Sequence, residues 1–113
     1  MKIDIVSANG RATACLCGEI DHHNAKEIRE ELDKFILSSL PSALHQLAAA
    51  GIEIDFKDIS FMDSSGIGLI MGRHKLISEC GGKLIVKNPQ FYIKRVLKLS
   101  GIERLVKITN DRL

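Results

Sequence analysis

Tryptophan is absent from this chain, and a single tyrosine stands beside four phenylalanines. That lone tyrosine, Tyr92, supports no platform for stacked bases, so no single-stranded nucleic-acid reader is expected. Lysine and arginine number 16 against 14 aspartates and glutamates, a net charge of +2. That balance is too even to grip a polyanion or an anionic membrane surface. No apolar run approaches the roughly 20 residues that span a bilayer. The opening Met1-Lys2-Ile3-Asp4-Ile5-Val6 places an acid inside its first apolar run and offers no small-residue cleavage site, so no signal peptide is expected. The cysteines are three, an odd number, and Cys15 and Cys17 would share one face of a strand. They read as buried free thiols in a reducing cytosol, not as a disulfide framework or a metal site. The expectation is a cytoplasmic chain with no membrane segment and no direct contact with nucleic acid.

What remains is an aliphatic chain of 113 residues, 45% apolar and 27% charged, which fits one domain over 1–113. Asn9-Gly10 is a strong type I′ hairpin signal between two strand-like runs, Ile3–Ser7 and Ala12–Cys17. From Asn24 to Ser39 the apolar positions Ala25, Ile28, Leu32, Phe35 and Ile36 recur with helical period, with Asn24 as N-cap. Pro41 is expected to restart the chain, with a second short helix to Ala50 closed by Gly51. Ile52, Ile54 and Phe56 alternate with Glu53 and Asp55, a strand buried mainly on one face, and 59–62 continue the apolar stretch into a loop.

A helix is expected from Ser65 to about Glu79, with Ile67, Ile70, Met71, His74 and Ile77 inward, stopped by Gly81-Gly82. Leu84–Val86 reads as a short strand. Asn88-Pro89 supplies a cap and first-turn proline for another helix, with Ile93, Val96 and Leu97 inward and Gly101 as its stop. Leu105–Ile108 would be the last strand. Strands alternating with helices imply parallel crossovers, and the opening hairpin makes the sheet mixed. The fold class is α/β, a mixed sheet of about five strands with helices packed against it.

Chemistry concentrates in Asp63-Ser64-Ser65-Gly66-Ile67-Gly68, where a strand yields to a helix. A helix start leaves backbone N–H groups unpaired and carries partial positive charge, which suits anions. Ser64 or Ser65 could simply cap that helix. Enzyme motifs fail on spacing. A nucleophile elbow needs glycine two residues before the serine, where Met62 stands. A P-loop needs a lysine that does not follow Gly66 or Gly68. Gly66, Gly68 and Gly72 miss the dinucleotide fingerprint by one residue. His22-His23 are adjacent in sequence and lack a third ligand at motif spacing, so they read as a solvated loop and no metal is expected. His45 reads as an exposed helix residue, His74 as core-edge, and Lys94, Arg95 and Lys98 as a solvated face.

Gly18-Glu19-Ile20-Asp21-His22-His23 and Phe61-Met62-Asp63-Ser64-Ser65-Gly66-Ile67-Gly68 resemble the STAS domain family, and the Asp-His-His block resembles its sporulation branch. The likeness continues through Gly72-Arg73-His74-Lys75, Gly81-Gly82 and Leu99-Ser100-Gly101-Ile102. It implies an anti-sigma factor antagonist, a binding protein and not an enzyme, that takes no cofactor and controls sporulation-specific transcription. It further implies that Ser64 is phosphorylated by the anti-sigma factor, itself an ATP-dependent serine kinase, and restored by a serine phosphatase. The implied contact residues are Asp21, Asp63, Ser64, Ser65, Gly66 and Ile67. Other functions stay open beside it: an antagonist in a stress-response sigma pathway, a small nucleotide-binding protein or hydrolase using the Ser64 loop, and a structural STAS module inside a larger assembly. The chain departs from the family pattern at 39–51, longer by about one short helix, and carries little beyond Ile108, where relatives often add a helix.

Overall fold

A computed structural model describes residues 1–8, 11–43 and 51–111. Its elements are β1 (Lys2–Ala8), β2 (Arg11–Ile20), α1 (Ala25–Ala43), β3 (Ile52–Met62), α2 (Ser64–Glu79), β4 (Leu84–Lys87), α3 (Phe91–Ser100), a 3₁₀ turn (Ile102–Arg104) and β5 (Lys107–Thr109). The five strands lie side by side in chain order. β1 and β2 pair antiparallel, from Lys2 opposite Cys17 to Ala8 opposite Arg11. The Asn9-Gly10 turn itself lies outside the described residues. Every later neighbour is parallel, as the strand–helix alternation predicts.

Because each parallel crossover steps one strand in the same direction, right-handed connections place all three helices on one face of the sheet. One apolar cluster follows. It joins Ile28, Leu32 and Ile36 of α1, Leu69, Ile70 and Ile77 of α2, and Ile93 and Leu97 of α3 to Ala14, Leu16, Ile54, Phe56, Leu84 and Val86 of the strands. The opposite face is polar at its centre. Thr13 donates to Glu53 Oε1 at 2.9 Å, Lys87 Nζ lies 3.9 Å from the same oxygen, and the backbone N–H of Lys57 donates to Asp55 Oδ1 at 2.9 Å.

Several expectations need correction. β3 is buried on both faces over Ile52–Phe56, Glu53 and Asp55 included, because it is the middle strand and its carboxylates are paired there. It also continues as strand to Met62, since β2 stays paired beside it to the end. Helix α1 passes through Pro41 to Ala43 without a break at Ser39, although proline there forgoes the bond that a backbone N–H would make to the carbonyl four residues back. The expected second helix falls largely on 44–50, outside the described residues, as does His45. Gln90, not Asn88, stands at the start of α3, and Pro89 precedes the helix instead of opening it. Asn88 takes a left-handed φ of 56°, a conformation asparagine tolerates better than most residues. The last strand is Lys107–Thr109, with Leu105 exposed before it. Cys17 is exposed, while Cys15 and Cys80 are half-buried, and all three are free.

On α2 the inward set is Gly66, Leu69, Ile70, Arg73 and Ile77. Met71 faces outward and His74 is only half-buried. Among the described residues no helix is long and apolar enough to cross a membrane.

Candidate functional site

Parallel pairing builds the site from two turns far apart in sequence, with His22 and Asp63 separated by 41 positions. Ile20 at the end of β2 lies in register with Met62 at the end of β3, so the turns that follow emerge side by side. The backbone N–H of Asp63 donates to Ile20 O at 3.1 Å and locks them together. Brought together in this way are Asp21, His22, Asp63, Ser64 and Ser65, at the carboxyl ends of the strands, where open α/β sheets present their sites.

The residue that caps α2 is Asp63, neither of the two serines. Its backbone is extended, and its Oδ1 accepts the Ser65 N–H at 2.8 Å. Its Oδ2 faces the other turn, accepting the His22 N–H at 3.3 Å, with His22 Nδ1 3.8 Å away. The Ser65 N–H above all holds the Asp63 carboxyl below its ordinary value; desolvation, the next largest effect, opposes it, and the Ser65 hydroxyl and the His22 N–H add smaller contributions in the lowering sense. A depressed carboxyl contributes stability that is present above its unfolded value, about 3.9, and is lost as pH falls through the lower folded value. Asp63→Ala is therefore expected to lower Tm by a few degrees at neutral pH, with the gap to wild type closing as pH falls below about 4. Thermal melts at stepped pH check this, and a constant gap down to acid pH rules it out.

This division separates the serines. Ser65 is half-buried with its N–H and hydroxyl turned to Asp63. Ser64 is exposed in the first turn of the helix, and among the described residues its hydroxyl has no partner.

Asp21 organises the neighbouring turn. Its Oδ1 accepts the N–H groups of His23 at 2.9 Å and Asn24 at 3.1 Å, and its carbonyl accepts Ala25 N–H at 2.9 Å. Asn24 was expected as a simple cap. Instead its Oδ1 accepts the Asp21 N–H at 3.0 Å and its Nδ2 donates to Glu19 O at 2.8 Å, closing a reciprocal turn before α1 begins. Ile67 is half-buried and packs against the core, so it is less open than an exposed first turn implies.

Gly66 is fixed by packing. A Cβ there would overlap Met62 Cγ and Sδ, and Met62 is itself buried. Gly66→Ala is expected to cost about 1–3 kcal/mol, the scale of overpacking. Urea denaturation of a double-mutant cycle checks the cause: Met62→Ala should relieve part of that cost, and strict additivity would refute the overlap.

Two contacts were not legible in sequence. Tyr92 Oη accepts the Met62 N–H at 3.0 Å and lies 3.4 Å from Ser60 O. It fastens α3 to the end of β3, where β4, paired only with Ile52–Asp55, no longer covers the edge. His22, read as a solvated loop residue, touches Asp63. Neither has a local pattern; both depend on the register of strands distant in sequence.

A STAS domain profile matches residues 7–112. The chain belongs to the STAS domain family. Among its relatives, the anti-sigma F factor antagonist of Paenibacillus polymyxa is 31% identical over 111 residues, covering 98% of this chain and 88% of the relative. The anti-sigma-B factor antagonist of Bacillus subtilis is 28% identical over 109 residues, covering 96% and 91%. Among solved structures, the anti-sigma factor antagonist SpoIIAA in its unphosphorylated form superposes with a TM-score of 0.70 at 27% identity, covering 98% of this chain and 89% of that one. The Bacillus cell fate determinant SpoIIAA in its phosphorylated form gives 0.64 at 28% identity, covering 98% and 92%. The mixed five-stranded sheet with helices packed against it, seen among the described residues, is thus the STAS fold, and the α/β class is as expected.

Proposed function

We infer that this STAS domain is a cytoplasmic anti-sigma factor antagonist. It binds an anti-sigma factor that is also a serine kinase, frees the sigma factor, and is released when Ser64 is phosphorylated. The observation that carries this reading is the unequal state of the two serines: Ser64 presents an exposed, unpartnered hydroxyl while Ser65 is turned to Asp63. Relatives named as antagonists of anti-sigma F and anti-sigma-B factors support it. The chain supplies an acceptor, not a catalytic group. Ser64 Oγ bonds to the γ-phosphorus of ATP held by the kinase, the bond to ADP breaks, and the hydroxyl proton leaves to a base on the kinase. A serine phosphatase returns the hydroxyl by adding water and releasing inorganic phosphate.

The docking surface is formed by Asp21, Asp63, Ser64, Ser65 and the open part of Ile67, extended along the outer side of α2; Gly66, expected among the contacts, is buried beneath it. On that outer side a Cβ on Gly68 or Gly72 would meet nothing within 4 Å. Glycine inside a helix costs about 0.5–1 kcal/mol relative to alanine, and here no internal packing requires it. Gly68→Ala and Gly72→Ala are each expected to raise stability by about that amount while weakening the complex; a stabilised variant with unchanged affinity places the partner elsewhere.

The test is incubation with a cognate anti-sigma kinase and ATP, followed by mass spectrometry of the tryptic peptides. Phosphate on Ser64, with Ser64→Ala remaining bound in the presence of ATP, is the expected result. Phosphate on Ser65, or none, overturns the reading. Relatives of both the F and the B type leave two pathways, sporulation and stress response. Titration against one anti-sigma factor of each class separates them, and the sporulation class is expected to bind more tightly.

A further inference from the structure

The turn after β2 holds two adjacent imidazoles for which docking alone gives no use. His22 and His23 are both exposed, with ring centroids 3.9 Å apart and planes inclined by 38°. Of the two, among the described residues, His22 alone contacts the Asp63 carboxylate, through its N–H at 3.3 Å and its Nδ1 at 3.8 Å, both to Oδ2. Among the described residues, no lysine or arginine ion pair reaches that carboxylate. A phosphate on the next residue would add about −1.5 to −2 charges to the −1 of Asp63. The start of α2 offsets only about half a charge.

We propose that His22 is the internal counter-charge for a phosphate on Ser64. Its protonated imidazole bridges the phosphate and Asp63, and so ties the β2–α1 turn to α2 in the released state. The proposal rests on the assignment of Ser64 as the modified residue. Imidazole is the side chain whose charge ordinarily changes between about pH 5 and 8, the range in which a phosphoserine loses its second proton. The two protonations are then coupled: a dianionic phosphate favours the imidazolium, and the imidazolium favours the dianion. Among the described residues, the titratable groups in contact with His22 are His23 on its own turn and Asp63 on the β3–α2 turn, with Asp21 its neighbour in sequence. Asp21 is turned away in part, since its Oδ1 accepts the His23 and Asn24 N–H groups. His23 is in contact with the His22 ring and, among the described residues, makes no contact with Asp63.

The experiment installs phosphoserine at position 64 during translation, so no kinase is needed, and follows the phosphorus NMR shift against pH. The second ionisation of the phosphate is expected about 0.5 pH unit lower in the otherwise wild-type chain than in His22→Asn. His22→Lys, which keeps a cation there, should restore most of the lowering, and His23→Asn should change it less than His22→Asn does. Because both histidines are exposed, the variants are expected to melt with the parent, and matching melts confirm that a common fold is compared. Superimposable titrations of the parent and His22→Asn overturn the proposal, as does a larger shift for His23→Asn. Failure of the Ser64 assignment is read separately, in the kinase mapping. A product on Ser65 would remove the biological setting while leaving the measured reach of His22 intact.

Discussion

Ser64→Asp is expected to weaken binding to a cognate anti-sigma kinase by about 30-fold or more, while leaving the melting temperature unchanged or slightly raised. Losing a good interfacial charge interaction costs on the order of 2–4 kcal/mol, which is roughly 30- to 1000-fold in affinity. Aspartate carries about half the charge of a phosphate, so the lower end applies. Within the free chain the same carboxylate is tolerated. Position 64 is exposed and opens α2, where an acid interacts favourably with the helix dipole by about 0.3–1 kcal/mol. Repulsion from Asp63 opposes that gain, but Asp63 is committed to the Ser65 and His22 N–H groups and remains in place. The variant thus separates binding from folding. Calorimetric titration beside a thermal melt reads both. Wild-type affinity at unchanged stability would show that charge at this position does not release the partner, and a large loss of stability would show that it acts by unfolding.

The same loop marks where sequence reasoning reaches and where it stops. Periodicity placed the strands and helices because each buries one stripe, as Ile28, Leu32 and Ile36 do in α1. Composition could not tell which of three adjacent polar residues caps α2, since aspartate and serine are comparably good caps. The choice fell to Asp63 because its second oxygen can also accept His22 N–H from the neighbouring turn. That partner becomes visible only when the parallel register sets Ile20 beside Met62. Pro41 misled for a related reason: a proline signals a break locally, but α1 continues to Ala43. The alternation of Glu53 and Asp55 with apolar neighbours suggested an exposed face. That holds for an edge strand, whereas β3 lies in the middle of the sheet, with Thr13 and Lys87 reaching Glu53 from either side. Tyr92 gave no signal at all, because its bond to Met62 spans 30 residues.

The largest effect on the fold itself is expected where α1 meets α2. Arg73 had no place in the apolar stripe read from sequence, yet it is 7% exposed and faces inward. Its Nε lies 2.8 Å from Asp33 Oδ1, a contact of charges in which the N–H is not aimed along the line, and its Nη1 is buried without a hydrogen bond. Burial pulls the guanidinium below its ordinary value, Asp33 works in the opposite sense, and Arg29 adds a like charge. The two partners are unequal: the Asp33 side chain is 34% exposed and can be hydrated, whereas that of Arg73 is 9% exposed and cannot. Removing the acid leaves a buried cation uncompensated, which costs about 3 kcal/mol. Removing the base leaves a carboxylate that can turn to water, and a methionine of similar length fills the space. Asp33→Ala is therefore expected to destabilise by about 3 kcal/mol, a drop of roughly 10–12 °C for a domain of this size, and Arg73→Met by less than about 1 kcal/mol. Urea denaturation measures both. Equal losses would mean that the pair stabilises the fold as a mutual attraction; the expected asymmetry means that Asp33 is there to neutralise a charge the helix interface has already buried.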